Sequence, residues 1–394
     1  MKTRIYLDHA ATTRLSSTAL EAMLPWLEEG GAGNPSGQYA IGRRAARALD
    51  EARRRVAHVL GSRPQEIVFT GPGTESINAA IKGVALAQKR AGLGNHIVTT
   101  TIEHHAVLHS CEWLEQFGFE ITYIPVDSYG CVDPDQIVAA VGDRTVLVSV
   151  MLANNEIGTI QPLSHIAQAL SERAPARGRR VPFHTDAVQG ANSLNLDVDE
   201  LGVDLLSLSA HKFGGPKGAG LLYMRRGTPY QSLISGGGQE RQRRAGTENV
   251  ASIVATAAAL EDAQANRDDY SRRCRALTTR LVNGITESIP QATLTGHPEM
   301  RLPNNAHFTF EGTESDVMLA ALDKAEIAAS AGSACNSETW EPSHVLRAIG
   351  VPLRRAFGAL RLTVGPENTD DELHRVLAVL PDIVTHSRAN PRRL

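Results

Sequence analysis

The chain has 394 residues, 42% of them hydrophobic and 21% charged, with a formal net charge of −3. That length exceeds one compact core and predicts a large and a smaller domain. The small net charge gives no footprint for nucleic acid or an anionic membrane surface, no apolar run reaches spanning length, and the start lacks a signal-peptide core, so the cytoplasm is the expected compartment.

In chain order, short apolar or β-branched runs predict strands at 67–70, 96–100, 121–124, 145–150, 181–184, 205–209 and 220–224, with helices at 76–91 and 106–117. Runs without polar alternation suit strands covered on both faces, so the class is α/β with a mainly parallel seven-stranded sheet. The arginines at Arg53-Arg54-Arg55 read as a solvated helix face, and 174–180 reads as a surface loop on composition. After an alanine-rich helical stretch at 251–260, alternating strands near 306–310 and 359–364 predict a smaller α+β unit. The expected division is 15–255 for the large domain, and 1–14 with 256–394 for the small one.

Ligands in open α/β sheets bind beyond the carboxyl ends of strands, so the junctions near Thr70, Thr100, Met151, His184 and Ser209 are expected to open onto one crevice. Gly71-Pro-Gly-Thr-Glu-Ser76 follows a strand and precedes a helix, where free N–H groups attract a phosphate, although it also reads as a plain turn capped by Thr74. His105 and His109 share a helix face beside Glu103 and His104, but the rest of a metal ligand set is missing and no metal is expected. Asp186 and Gln189 lie in Phe183-His-Thr-Asp186-Ala-Val-Gln189, an acid and an amide following a run; Asp186 could hold a pyridinium proton or merely cap a helix. The string Ser207-Leu-Ser-Ala-His-Lys212-Phe-Gly-Gly-Pro-Lys-Gly218 ends a strand with a hydroxyl, an imidazole and an amine. Such an amine can form a Schiff base with a carbonyl cofactor such as pyridoxal 5'-phosphate (PLP). Lys217 competes for that role, but its glycine-rich loop lacks the Walker spacing and the following Ser or Thr.

The four cysteines, Cys111, Cys131, Cys274 and Cys335, have no paired spacing, which argues against a disulfide framework or CxxC zinc site and leaves single-thiol chemistry. Cys335 sits in the small-residue loop Ser330-Ala-Gly-Ser-Ala-Cys335, where a nucleophile would have access. Cys111 reads as packing. Cys274, between arginines, reads as a helical surface position. Arg361 interrupts an alternating strand with a planar donor suited to a carboxylate, although it also reads as a plain strand-surface arginine. The stretch 236–249 reads on composition as a flexible basic loop.

These segments closely resemble the NifS/IscS-type (group I) cysteine desulfurases, fold-type I PLP-dependent enzymes, from Tyr6 to about Gly365. The resemblance implies that Lys212 carries PLP and moves the substrate's Cα proton, and that Gly73, Thr74, Ser209 and His211 bind the phosphate. It implies Asp186 at the ring nitrogen, Gln189 and Asn155 around the ring and its oxygen, and His104 stacked on the ring as a proton shuttle. Arg361, with Asn155, then binds the carboxylate of L-cysteine, and Cys335 takes the sulfur as a persulfide and releases alanine. Thr247 is expected to reach the phosphate from a neighbouring subunit, which implies a homodimer. Gly71-Pro72 departs from the usual Ser-Gly and removes one N–H, and Ala331 stands where serine is common. The C-terminal tail after Pro381 is shorter than in many relatives, where it docks a cluster scaffold. The sulfur-acceptor protein is therefore open among iron–sulfur cluster assembly, tRNA thiolation and DNA sulfur modification. Two other classes remain: a selenocysteine lyase or another lyase or aminotransferase of this fold, and a PLP-fold sulfur-relay scaffold without turnover.

Overall fold

The computed structural model describes residues 4–332 and 342–389. Its strands, in chain order, are β1 (Ile5–Tyr6), β2 (Ile67–Thr70), β3 (His96–Thr100), β4 (Glu120–Ile124), β5 (Thr145–Ser149), β6 (Phe183–Asp186), β7 (Leu205–Ser209), β8 (Gly220–Met224), β9 (Ala292–Leu294), β10 (Asn305–Phe310), β11 (Ile327–Ala328) and β12 (Ala359–Thr363). Seven of them form one sheet in the order β2-β8-β7-β6-β5-β3-β4. Only β8 runs against the rest, pairing antiparallel with β2 and β7, while β7, β6, β5, β3 and β4 pair in parallel. Every residue of β5, β6 and β7 is buried, as unbroken apolar runs require of strands covered on both faces.

Helices Ala40–Val59 and Val250–Ala265 cover one face, where Val56 and Ala57 share a core with Ala255, Ala257, Ala259 and Leu260. Helix Gly73–Arg90 packs Ile77, Ala80 and Val84 with Val68, Leu205 and Leu222 of the sheet. A second, antiparallel sheet has the order β12-β10-β9. There Phe308, Phe310, Leu360 and Leu362 pack against Leu281 and Ile285 of helix Arg267–Ser288 and Val376 and Leu380 of helix Asp370–Ala389. Ile5 and Leu7 join this core, with β1 paired in parallel to β11.

Several local expectations change. β6 begins at Phe183 because Pro182, with no N–H, can only accept, from Val148, at the ladder's start. Asp186 thereby ends the strand, and His184 lies within it, bonded to Ser149 and Ser207. Helix Leu163–Arg177 runs into the stretch read as a loop. The alternating β10 and β12 are buried on both faces: Asn305, His307, Thr309, Arg361 and Thr363 turn inward rather than to solvent. Arg53 is not solvated; it is buried in an ion pair with Glu240. Among the described residues no helix is long and apolar enough to cross a membrane.

Candidate active site

A cleft of about 280 Å³ opens at the carboxyl ends of β2, β3, β5, β6 and β7. Gly73 and Thr74 enter it after β2, His104 after β3, Asn155 after β5, Asp186 and Gln189 at the end of β6, and Ser209, His211 and Lys212 at the end of β7. Arg361 closes it from β12. The five junctions do converge, with Asp186 replacing His184 at the β6 end.

Lys212 sits on the short 3-10 turn Ala210–Lys212 and donates to the Ala10 and Ala11 carbonyls at 2.5 and 2.7 Å. The same strap of residues fixes its neighbour: Thr13 donates its N–H and its hydroxyl to the His211 carbonyl. Lys217 is exposed and outside the cleft. Burial pushes Asp186 up to about 6, against the pull of the Val188 N–H, 3.0 Å from Oδ1, and of the Lys212 charge. Gln189 donates to the Ala10 carbonyl at 3.0 Å.

His104 caps helix His105–Glu115, its Nδ1 accepting from the Ala106 N–H at 3.0 Å. Burial, then the Lys212 charge and neighbouring histidines, hold it down at about 4, so the ring is neutral at pH 7 with its proton on Nε2. Burial and the same lysine bring His211 to about 4.

The phosphate-type turn is not capped by Thr74. Pro72 is the N-cap, without a side-chain bond, and the helix starts at Gly73. The Gly73 N–H donates to Ser209 Oγ at 3.2 Å. A Cβ on Gly73 would lie 2.9 Å from Ser209 Cβ and 3.1 Å from Val188 Cγ2.

Arg361 is 2% exposed. Its Nη1 donates to the carbonyls of Asn155 and Gly332, and its Nη2 to Asp8 Oδ1, each at 2.8 Å. Its Nε has no partner among the described residues.

Sequence reasoning missed several groups here. Glu103 is fully buried and accepts from Thr100 Oγ1 at 2.7 Å and the Met151 N–H at 3.0 Å; burial pushes it up to about 8, so it is a neutral acid at pH 7. Glu156, also raised by burial, accepts from Ser343 Oγ at 2.5 Å. His344 lines the cleft with Nε2 3.0 Å from the Glu103 carbonyl. Its ring is 4.8 Å from that of His105, which lines the cleft too rather than standing on the surface. The signal for Glu103 and Glu156 was position alone, just past β3 and β5.

Thr247 is exposed and does not line its own chain's cleft. Cys335 lies outside the described residues. Burial raises the other three thiols, Cys111 and Cys274 to about 12. Cys274 is fully buried, not a surface position, and its basic neighbours do not overcome desolvation.

Residues 5–376 match the family model for aminotransferase class-V. The chain is 49% identical over 384 residues to the cysteine desulfurase IscS of Methanosarcina thermophila, with 98% of this chain and 93% of that one covered. It is similar to the solved structure of a NifS-like protein, with TM-score 0.90, 36% identity, and 98% of this chain and 100% of that one covered. It is also similar to the structure of SspA in complex with cysteine, with TM-score 0.80, 35% identity, and 93% and 100% covered.

Proposed function

The chain belongs to the aminotransferase class-V family and is a PLP-dependent cysteine desulfurase, and from that premise we infer which of its residues do the work. The observation that carries the assignment is Lys212 and Asp186 on the adjacent ends of β7 and β6, an amine and a buried carboxylate facing one cleft. Those residues fit PLP. Asp186 has the negative charge that a pyridinium nitrogen needs, Gly73 leaves a space that any Cβ would fill, and Ser209, Thr74 and His211 ring the phosphate end. Gln189 and Asn155 would offer amides to the ring and its oxygen, and neutral His104 would offer it an imidazole face. Bound there, PLP supplies the electron sink that weakens the substrate's Cα–H bond.

Arg361 binds the carboxylate of L-cysteine, and Asn155 helps to orient it. Lys212 takes the Cα proton and returns it, and neutral His104 relays protons nearby. Cys335, as a thiolate, attacks the substrate sulfur; an S–S bond forms, the C–S bond breaks with its electron pair left on the substrate's Cβ, Cβ takes up the proton that the thiol gave up, and alanine leaves behind a Cys335 persulfide. The three described cysteines support this choice, because burial keeps each protonated and none lines the cleft. The large domain, 15–255, then holds the cofactor, and the small one, 1–14 with 256–394, brings Arg361 and Cys335. Thr247, exposed on its own chain, serves the phosphate of a second copy in a homodimer. The persulfide passes to an acceptor protein in the cytoplasm.

Mass spectrometry after brief exposure to cysteine should find one added sulfur on the Cys335 peptide. Cys335→Ser should keep the cofactor's visible absorbance, still respond spectrally to cysteine, and form almost no alanine. Sulfur chiefly on another cysteine, or undiminished alanine, would overturn the assignment.

A further inference from the structure

The segment from Gly238 to Thr247 is held in a shape that its own sequence disfavours. Glu240, Arg241 and Gln242 have φ of 46°, 56° and 64°, three consecutive non-glycine residues in the left-handed region. Such a turn persists only where surrounding contacts impose it.

The contacts are specific. Glu240 is 6% exposed and pairs bidentately with Arg53, both N–O distances being 2.8 Å. The pair also covers the open edge of the large sheet: the Phe69 N–H donates to Glu240 Oε2 at 2.9 Å, and Arg53 Nη1 donates to the Ile67 carbonyl at 2.7 Å. The Arg53 guanidinium lies over the Phe69 ring, 4.8 Å from its centroid. A second tie follows four residues on, where Arg244 Nε meets Glu75 Oε1 at 3.0 Å while Glu75 Oε2 accepts from the Gly71 N–H at 2.8 Å. Both ties reach the β2 strand and the turn that follows it. Three residues beyond the second tie, Thr247 stands exposed.

We propose that Arg53 and Glu240 form a positioning clamp that holds this segment in the shape in which it delivers Thr247 to the cofactor phosphate of a second copy of the chain. The inference rests on the reading of Thr247 given above. It adds that a subunit's β2 edge, which leads into its own phosphate turn, also fixes the hydroxyl it lends to its neighbour. Neither clamp residue lines the cleft, so both act through the segment rather than on substrate.

The test is complementation between holoenzyme chains. Glu240→Ala homodimers should lose cofactor about tenfold more readily than wild type, as expected when a charged buried contact is removed. Glu240→Gln, which keeps the side chain's size, should show a smaller loss and guards against misfolding of the alanine variant. Lys212→Ala chains have a dead site but an intact segment. Co-assembled with Glu240→Ala or Glu240→Gln chains, they should restore cofactor retention and desulfurase activity in the heterodimer, because the impaired chain's site now receives a sound Thr247. Thr247→Ala, mixed with Lys212→Ala in the same way, tests the shared site itself. Recovery with Thr247→Ala but not with either Glu240 variant would overturn the clamp and leave the shared site standing. Recovery with none of them would remove both. Glu240 homodimers that retain cofactor like wild type would also overturn the clamp.

Discussion

Arg361, the proposed carboxylate anchor, has most of its donors already committed. Its Nη1 is shared by two carbonyls and its Nη2 holds Asp8, which leaves the Nε edge without a partner among the described residues. A planar fork can satisfy these acceptors and still present an edge to an incoming carboxylate; an ammonium cannot. Arg361→Lys should therefore raise the KM for cysteine by roughly tenfold to a hundredfold, with a smaller fall in kcat, because the lost contact is made in ground and transition states alike. A fall confined to kcat would show that Arg361 does not anchor the substrate. The arginine was legible as a charged residue in an alternating strand. Asp8, 353 positions away, was not, since only the pairing of the N-terminal segment with β12 brings the two together. Lys212 is set apart from Lys217 because only the former follows within three residues of the end of a buried strand. His344 carried no pattern that separated it from any other helix-start histidine.

At the scale of elements, strand interiors were legible and their ends less so. β7 matches its apolar run and β5 stops one residue short of its own, whereas β6 starts two residues late at Phe183, just after Pro182, and so delivers Asp186, not His184, to the cleft. The turn after β2 shows why such ends matter. Gly73 lets the first helical N–H approach Ser209 with no side chain in between, and its φ is unexceptional, so the requirement is space alone. Gly73→Ala would press on Ser209 Cβ and Val188, neither of which is the free end of a long side chain. The variant should lose about 1–3 kcal/mol of stability as an overpacking cost, and should bind PLP more weakly because Ser209 and the turn must move apart. Thermal melts with and without added PLP read both effects. An unchanged melt would mean that the β2–β7 junction yields more easily than the contacts with Ser209 and Val188 suggest.

For the whole molecule, the α/β class and the shared crevice followed from the pattern of apolar runs, but strand direction needed connection lengths as well. β8 follows β7 after only about ten residues, too few for a crossover, which makes it the antiparallel member. What no local pattern conveys is how the two cores enclose ionisable groups. His184 and His307 are fully buried, and burial lowers each to about 3, whereas burial raises Glu103 to about 8. The signs oppose. A histidine lowered in the folded state contributes stability that is present above its unfolded pKa of about 6.5 and is lost as pH falls toward the folded value, because the unfolded chain then binds the extra proton. A carboxyl raised in the folded state contributes stability that is fully present below about 4.5 and is lost as pH rises to 8, because over that span the unfolded chain's carboxyl ionises while the folded one keeps its proton. His184→Gln should therefore gain on wild type as pH falls from 7 to 4.5, by up to about 1.4 kcal/mol per pH unit once the unfolded imidazole is protonated. Glu103→Gln should gain on wild type in the opposite direction, as pH rises from 5 to 8, and the gain should level off above that. Melting temperatures of the three holoenzymes across that range decide the matter: curves that stay parallel would mean that these groups titrate alike in folded and unfolded chains, and that the burial described here does not govern their charge.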